Sequence, residues 1–338
     1  MKQSLGISIL RVSATVFVVL FHSLGYYTHA WPFDGIKVNT YSSFDIVLNQ
    51  ITMPTFFFLS AYIFGIKVRN GQYSDKLSFF KNKTIRLLVP YVLWSIVQHL
   101  LLSNQYEPAF SLNGNLFYGI LHGYLHLWFI LVLFFYFCLF YLLSNVWCKF
   151  GKTTSILILL ALTLISSCTK IGTNLLCISG FVHFIPFFYL GLLLSDINLN
   201  KTKIIPNILI CLCGIVTLTL FTLYIHIGQK TNMFIRETAS TFTVLSLFLI
   251  AISVKKVPCR NLEKTLSSLD QNSFGIYILH HIIIWWSVQQ SFLQPFLNEH
   301  FIFAPACIFA TSFCLSWLLS DIIRKNKFTG LLLGEHIK

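Results

Sequence analysis

The sequence predicts an all-α fold, a polytopic bundle of about ten membrane helices with both chain ends on the cytoplasmic side. Three observations carry that expectation. Ten apolar stretches, each long enough or nearly long enough to cross a bilayer, account for most of the 338 residues. Charged residues make up 10% of the chain and hydrophobic ones 56%, with mean hydropathy +0.73, whereas a soluble domain carries about a quarter charged residues. The basic residues also fall almost entirely on one side of the stretches.

A bilayer core of roughly 30 Å needs about 20 helical residues per crossing. The crossings are expected at Leu5–Leu24, Phe44–Phe64, Leu87–Ser103, Leu125–Ser144, Thr154–Cys168, Ser179–Ser195, Ile204–His226, Thr238–Val254, Ser273–Phe292 and Ile302–Asp321. The fifth is the shortest and requires little tilt or a locally thinned bilayer. With the N-terminus inside, 20 of the 24 Lys and Arg residues face the cytoplasm; Lys37, Lys170, Lys230 and Arg236 alone face outward. The bias repeats loop by loop, as the positive-inside rule requires. A missed or invented crossing would reverse every later loop.

The net charge of +13 is explained by short loops at anionic headgroups, and no nucleic-acid-binding module is visible. The first stretch is not expected to be a cleaved leader, because Arg11 and His22 interrupt it and no small-residue cleavage site follows. The nine cysteines are scattered, mostly in apolar stretches, with neither zinc spacing nor a disulfide framework. No linker, repeat or low-complexity tail divides the chain. A single membrane-embedded domain without an attached soluble module is therefore expected, and the chemistry must lie in the membrane helices.

The first stretch is the most informative. Arg11 and His22 are eleven residues apart. At about 100° per residue this is three turns plus about 20°, so both share one helix face, about 16 Å apart along the axis. An intramembrane arginine is expensive and normally faces protein, water or an anion. Alone, Arg11 reads equally as a residue snorkelling to the inner headgroups, and His22 as an interhelical hydrogen-bonding group. Together on one face they form an anion-binding group beneath a general base.

The pair resembles the signature of the acyltransferase 3 family, bacterial integral membrane enzymes that mostly O-acetylate surface polysaccharides. The resemblance continues in Met53-Pro54-Thr55-Phe56-Phe57-Phe58-Leu59-Ser60-Ala61-Tyr62, similar to an aromatic run ending in Leu-Ser-Gly. It extends through Lys83-Thr84-Ile85-Arg86-Leu87-Leu88-Val89-Pro90-Tyr91, His126-Leu127-Trp128-Phe129 and Ser273-Phe274-Gly275-Ile276-Tyr277-Ile278-Leu279-His280, in family order. Two departures stand out: Ser8 occupies a position where many relatives carry Asp, removing a possible ion-pair partner for Arg11, and Ala61 replaces a frequent Gly.

The resemblance implies acetyl-CoA as a cytoplasmic donor, a cell-surface glycan such as O-antigen or capsule as acceptor, and a bacterial cytoplasmic-membrane location. Arg11, Lys83 and Arg86 are then expected to hold the CoA phosphates, guanidinium in bidentate fashion and ammonium as a point charge. Positive-inside anchoring is the competing reading for Lys83 and Arg86. Ser60, with helix packing as its alternative, and His280 are placed on the donor side, His280 together with His281 because they enter the ninth crossing from inside. His22 acts either as general base toward a hydroxyl or as transient acyl acceptor; imidazole suits both. His126, Trp128 and Tyr26 are expected to line an acceptor cleft, with an interfacial aromatic belt as the alternative. No metal is expected. A transporter or polysaccharide exporter is the competing class, but no internal repeat of the kind transporters show is visible.

Overall fold

The computed structural model describes residues 5–28, 36–102, 116–171, 175–196, 209–221 except 211, 215 and 218, and 233–335 except 255. Every regular element among them is helical. In chain order the helices are α1 (Leu5–Ser23), α2 (Gly25–Thr28), α3 (Asn39–Arg69), α4 (Lys76–Lys83), α5 (Val89–Leu102), α6 (Leu116–His122), α7 (Trp128–Leu142), α8 (Ser144–Trp147), α9 (Lys152–Cys168), α10 (Ile178–Leu194), α11 (Met233–Ser253), α12 (Arg260–Gln289), α13 (Gln294–Glu299), α14 (Ala304–Lys325) and α15 (Lys327–Gly330).

Seven helical segments among the described residues are long and apolar enough to cross a membrane: Leu5–Ser23, Asn39–Arg69, Lys76–Leu101, Leu116–Leu142, Leu175–Leu194, Met233–Ser253 and Ala304–Lys325. The chain is thus a multi-pass membrane protein. Two further expected crossings are helices of a different kind. The fifth, α9, has 17 residues and fully buries only Ser166; Ile156, Leu157, Leu160, Leu164 and Ile165 are exposed, while Ile158, Leu159 and Leu162 are half-buried. The ninth, α12, has 30 residues and begins at Arg260, well before Ser273; its charged first half and its Asn, His and Gln residues lower its hydropathy. The seventh, Ile204–His226, lies largely outside the described residues.

The chain divides into two compact units, both discontinuous: residues 1–56 with 198–321, and residues 57–197 with 322–338. In the first, α1 packs against α11 and α12. Gly6 permits the first contact, since a Cβ there would lie 2.7 Å from the Ala251 carbonyl oxygen and the Ile252 Cα. Small residues at such crossings let backbones approach, which is what drives helix association where lipid is as apolar as the side chains.

In the second unit α7 packs against α10, and α10 against α9. Gly191 allows α10 to approach the Phe58 carbonyl, where a Cβ would clash. Around this contact Phe57, Phe129, Tyr136 and Phe184 pack with centroids 4.6–5.3 Å from Phe57, a distance range typical of edge and offset ring pairs. The third expected crossing is not one uninterrupted helix. Lys76–Lys83 leads through a π-helical turn, Thr84–Leu88, into α5. Pro90 has no N–H for the Arg86 carbonyl four residues earlier, a usual cause of a local change of helix geometry. Gly334 fits against that carbonyl, where a Cβ would clash.

Candidate active site

The first unit brings the two singled-out residues of α1 against one partner helix, α12. At one level Arg11 Nη1 donates to Asp270 Oδ1 at 2.5 Å, and Ser8 Oγ donates to Asp270 Oδ2 at 2.8 Å. Asp270 is buried, while the Arg11 side chain keeps 23% exposure. Ser8 leaves Arg11 without a carboxylate from its own helix, as expected, but not without an ion-pair partner. The carboxylate comes from α12, and Ser8, one turn before Arg11, is one of its hydrogen-bond donors.

Three turns further along α1 lies His22. Its Nδ1 is 2.9 Å from the Val18 carbonyl oxygen and 3.1 Å from His280 Nε2. His280 Nδ1 in turn sits 2.9 Å from the Ile276 carbonyl oxygen. His281 completes the group, its ring centroid 5.3 Å from that of His22 and stacked on Trp285. His22 is half-buried, whereas His280 is sealed at 0% exposure. His280, expected on the donor side, has its ring against that of His22. Although three histidines meet, no set of three His, Cys, Asp or Glu side chains among the described residues is arranged to hold a metal ion.

The backbone carbonyls fix the tautomers. A carbonyl oxygen only accepts, so the ring nitrogen facing it must carry the proton. Neutral His22 is therefore protonated on Nδ1, and neutral His280 likewise. His280 Nε2 is then an acceptor for the His22 Nδ1–H, and His22 Nε2 carries the basic lone pair. An imidazole of this kind can take a proton from a hydroxyl, or attack a carbonyl carbon, through Nε2.

Tyr26, expected to face an acceptor, is buried. Its hydroxyl lies 2.7 Å from Gln294 Oε1 and 3.0 Å from Asn298 Oδ1 on α13. Neighbouring Tyr27 donates to the Leu297 carbonyl. These bonds fasten α2 to α13 at the end of α1 that carries His22.

The remaining expected residues lie in the second unit. Lys83 does not stand out as a loop cation. Its ammonium lies 3.4 Å from the centroid of Phe137, with Phe64, Tyr73 and Phe79 at 5.6–5.8 Å. Ring faces attract a cation partly withdrawn from water, and that accounts for the inward turn. Arg86, on the π-helical turn, is exposed. Ser60, in the second half of α3, is half-buried. His126 is buried in a 3-10 turn, Leu125–Leu127, that follows the left-handed Gly123 (φ +86°); the expected helix start at Leu125 is displaced to Trp128. Trp128 packs on Phe184 and Phe57, and Gly180 leaves room for its indole. His99 Nδ1 lies 3.2 Å from the Tyr124 hydroxyl.

Sequence reasoning missed Asp270 as the counter-ion of Arg11. The signal was weak: Asp270 lies ten residues before His280 in a polar stretch, Ser267-Ser268-Leu269-Asp270-Gln271-Asn272-Ser273, just ahead of the expected ninth crossing.

The sequence model of a family described as an acyltransferase domain, acyltransferase 3, matches residues 4–321. No curated protein and no solved structure matches the chain.

Proposed function

Since the chain belongs to the acyltransferase 3 family and is a membrane acyltransferase, we propose that it transfers an acetyl group from cytoplasmic acetyl-CoA to a hydroxyl of a cell-surface polysaccharide or its lipid-linked precursor. The observation that carries the reading is the half-buried His22, whose Nδ1 is tied to a carbonyl so that Nε2 is the reacting nitrogen. The topology proposed with it has ten crossings and both ends inside a bacterial cytoplasmic membrane. The 20-to-4 division of basic residues supports it.

In the direct route the acceptor oxygen attacks the thioester carbonyl carbon while its proton passes to His22 Nε2. The C–S bond then breaks, and the thiolate of CoA takes that proton back. In the covalent route Nε2 attacks the carbonyl carbon and the C–S bond breaks, leaving an acyl-imidazolium and CoA thiolate. The acceptor hydroxyl then attacks the acyl carbon, the C–N bond breaks to release ester and neutral imidazole, and the hydroxyl proton converts the thiolate to CoA thiol. The covalent route carries the acyl group to the acceptor without requiring both substrates at one depth. Arg11, its charge balanced by Asp270, offers a guanidinium for an anionic group of the donor. The proposal also assigns donor contacts to Arg86 and Ser60 and acceptor contacts to His126 and Trp128. Lys83 contributes by anchoring its segment to the surrounding rings.

The test is glycan acetylation from labelled acetyl-CoA, per unit of membrane protein. His22→Ala should lose at least about 100-fold, the range general-base groups supply. His22→Gln keeps hydrogen bonding but cannot accept a proton near neutrality, and should be equally inactive. Parental activity in His22→Gln moves the role elsewhere, with His126 the first alternative. Transport of unmodified glycan without label incorporation would favour an exporter.

A further inference from the structure

The geometry points to His280 as a positioning residue for His22: its Nε2 accepts a hydrogen bond from His22 Nδ1–H, orients the ring, and holds the imidazolium formed when Nε2 takes up a proton. This assignment rests on the reading of His22 as the reacting base.

Three observations carry it. First, polarity is settled by the backbone. His280 Nδ1 faces the Ile276 carbonyl oxygen at 2.9 Å and must be its donor, so in the neutral ring Nε2 has a lone pair. That lone pair lies 3.1 Å from His22 Nδ1. Second, His22 Nδ1 already faces the Val18 carbonyl oxygen at 2.9 Å, so its single N–H is shared between two acceptors. Two acceptors on one N–H strengthen most when the ring becomes cationic, because hydrogen bonds to an ionised donor are roughly twice as strong as neutral ones. The pair thus places two acceptors at the Nδ1–H of the imidazolium that a general base passes through. Third, His280 is fully enclosed, with 0% exposure, while His22 is half-buried. A sealed ring does not reach a substrate; it acts through the ring it touches. Sequence separation of 258 residues means that only packing of α1 on α12 creates the contact.

The proton balance is simple. A hydroxyl proton moves to His22 Nε2 as the acceptor oxygen bonds to the acyl carbon. The Nδ1 proton stays between His22, the Val18 carbonyl and His280 Nε2. When CoA thiolate departs, the Nε2 proton leaves with it, and both rings return to their neutral Nδ1–H forms.

The experiment uses the full-length protein in native membranes, with labelled acetyl-CoA as donor and the membrane glycan as acceptor. His280→Phe keeps a planar ring but removes the acceptor, and kcat should fall about 10- to 100-fold, as when an orienting partner of a reactive group is removed, with KM for acetyl-CoA unchanged. His280→Gln restores an acceptor oxygen and should recover most of that loss. A purely structural role predicts instead that both variants lose activity in step with membrane abundance and melting temperature. Parental kcat in His280→Phe, or no recovery in His280→Gln, overturns the assignment. Nitrogen-15 spectra of histidine-labelled protein give a readout independent of activity: neutral His22 should be protonated on Nδ1, and a ring protonated on Nε2 overturns it. Activity retained by His22→Gln defeats the reading of His22 as base; activity retained by His280→Phe, with His22→Gln inactive, defeats the positioning role alone.

Discussion

Arg11 and Asp270 illustrate how a membrane helix carries a charge. The guanidinium is only partly exposed and meets a buried carboxylate at 2.5 Å, and Ser8 satisfies the second oxygen of that carboxylate. Removing one partner leaves the other uncompensated, which is costly where water is scarce. Asp270→Asn should therefore lower both melting temperature and accumulation in membranes. Arg11→Lys keeps the charge but loses the planar fork, so use of acetyl-CoA at limiting donor should fall about tenfold while the protein still accumulates. Exchanging the residues, Ser8→Asp with Asp270→Ser, places the carboxylate one turn from Arg11 on its own helix and should recover stability lost in Asp270→Ser alone. No recovery in the double variant would mean that Asp270 matters for something other than Arg11. Lys83 gives the opposite lesson. From sequence it was one basic residue among many on the inner side, and its aromatic surroundings come from four separate positions, Phe64, Tyr73, Phe79 and Phe137.

At the scale of the element, α1 is the informative helix because it does two things with one sequence. One side presents Gly6 to α11, and another presents Ser8, Arg11 and His22 to α12. The close approach at Gly6 predicts that even one methyl is felt. Gly6→Ala should lower the melting temperature measurably, since the added Cβ would meet the Ala251 carbonyl and something must shift. Gly151→Ala, where nothing lies within 4 Å and φ is −67°, is the matched control and should leave the protein unchanged. Equal melting temperatures for the two variants would show that α1 and α11 are less tightly apposed. The π-helical turn Thr84–Leu88 belongs to this scale too. Pro90 was visible in the sequence, but the freed Arg86 carbonyl and its contact with Gly334 depend on residues near the far end of the chain.

For the whole molecule, orientation is the property that reporters read directly. A reporter active only outside the cytoplasm should be silent at both chain ends and active when inserted within residues 32–40 or 228–232. Activity at the C-terminal end would require an odd number of crossings and would sink the ten-crossing proposal. The sequence by itself determined the helical class, the multi-pass character, the family, and the common face of Arg11 and His22. Each depends on composition, on order along the chain, or on the fixed 100° step of a single helix. Only the tertiary structure decided that Asp270 neutralises Arg11, that His280 stands against His22, that Tyr26 is occupied by Gln294 and Asn298, and that Lys83 sits among rings. The physical reason is common to all four. A helix's own periodicity fixes where its residues point relative to one another, whereas their partners come from other helices, and no periodicity within one helix states which helix will pack against it or at what depth.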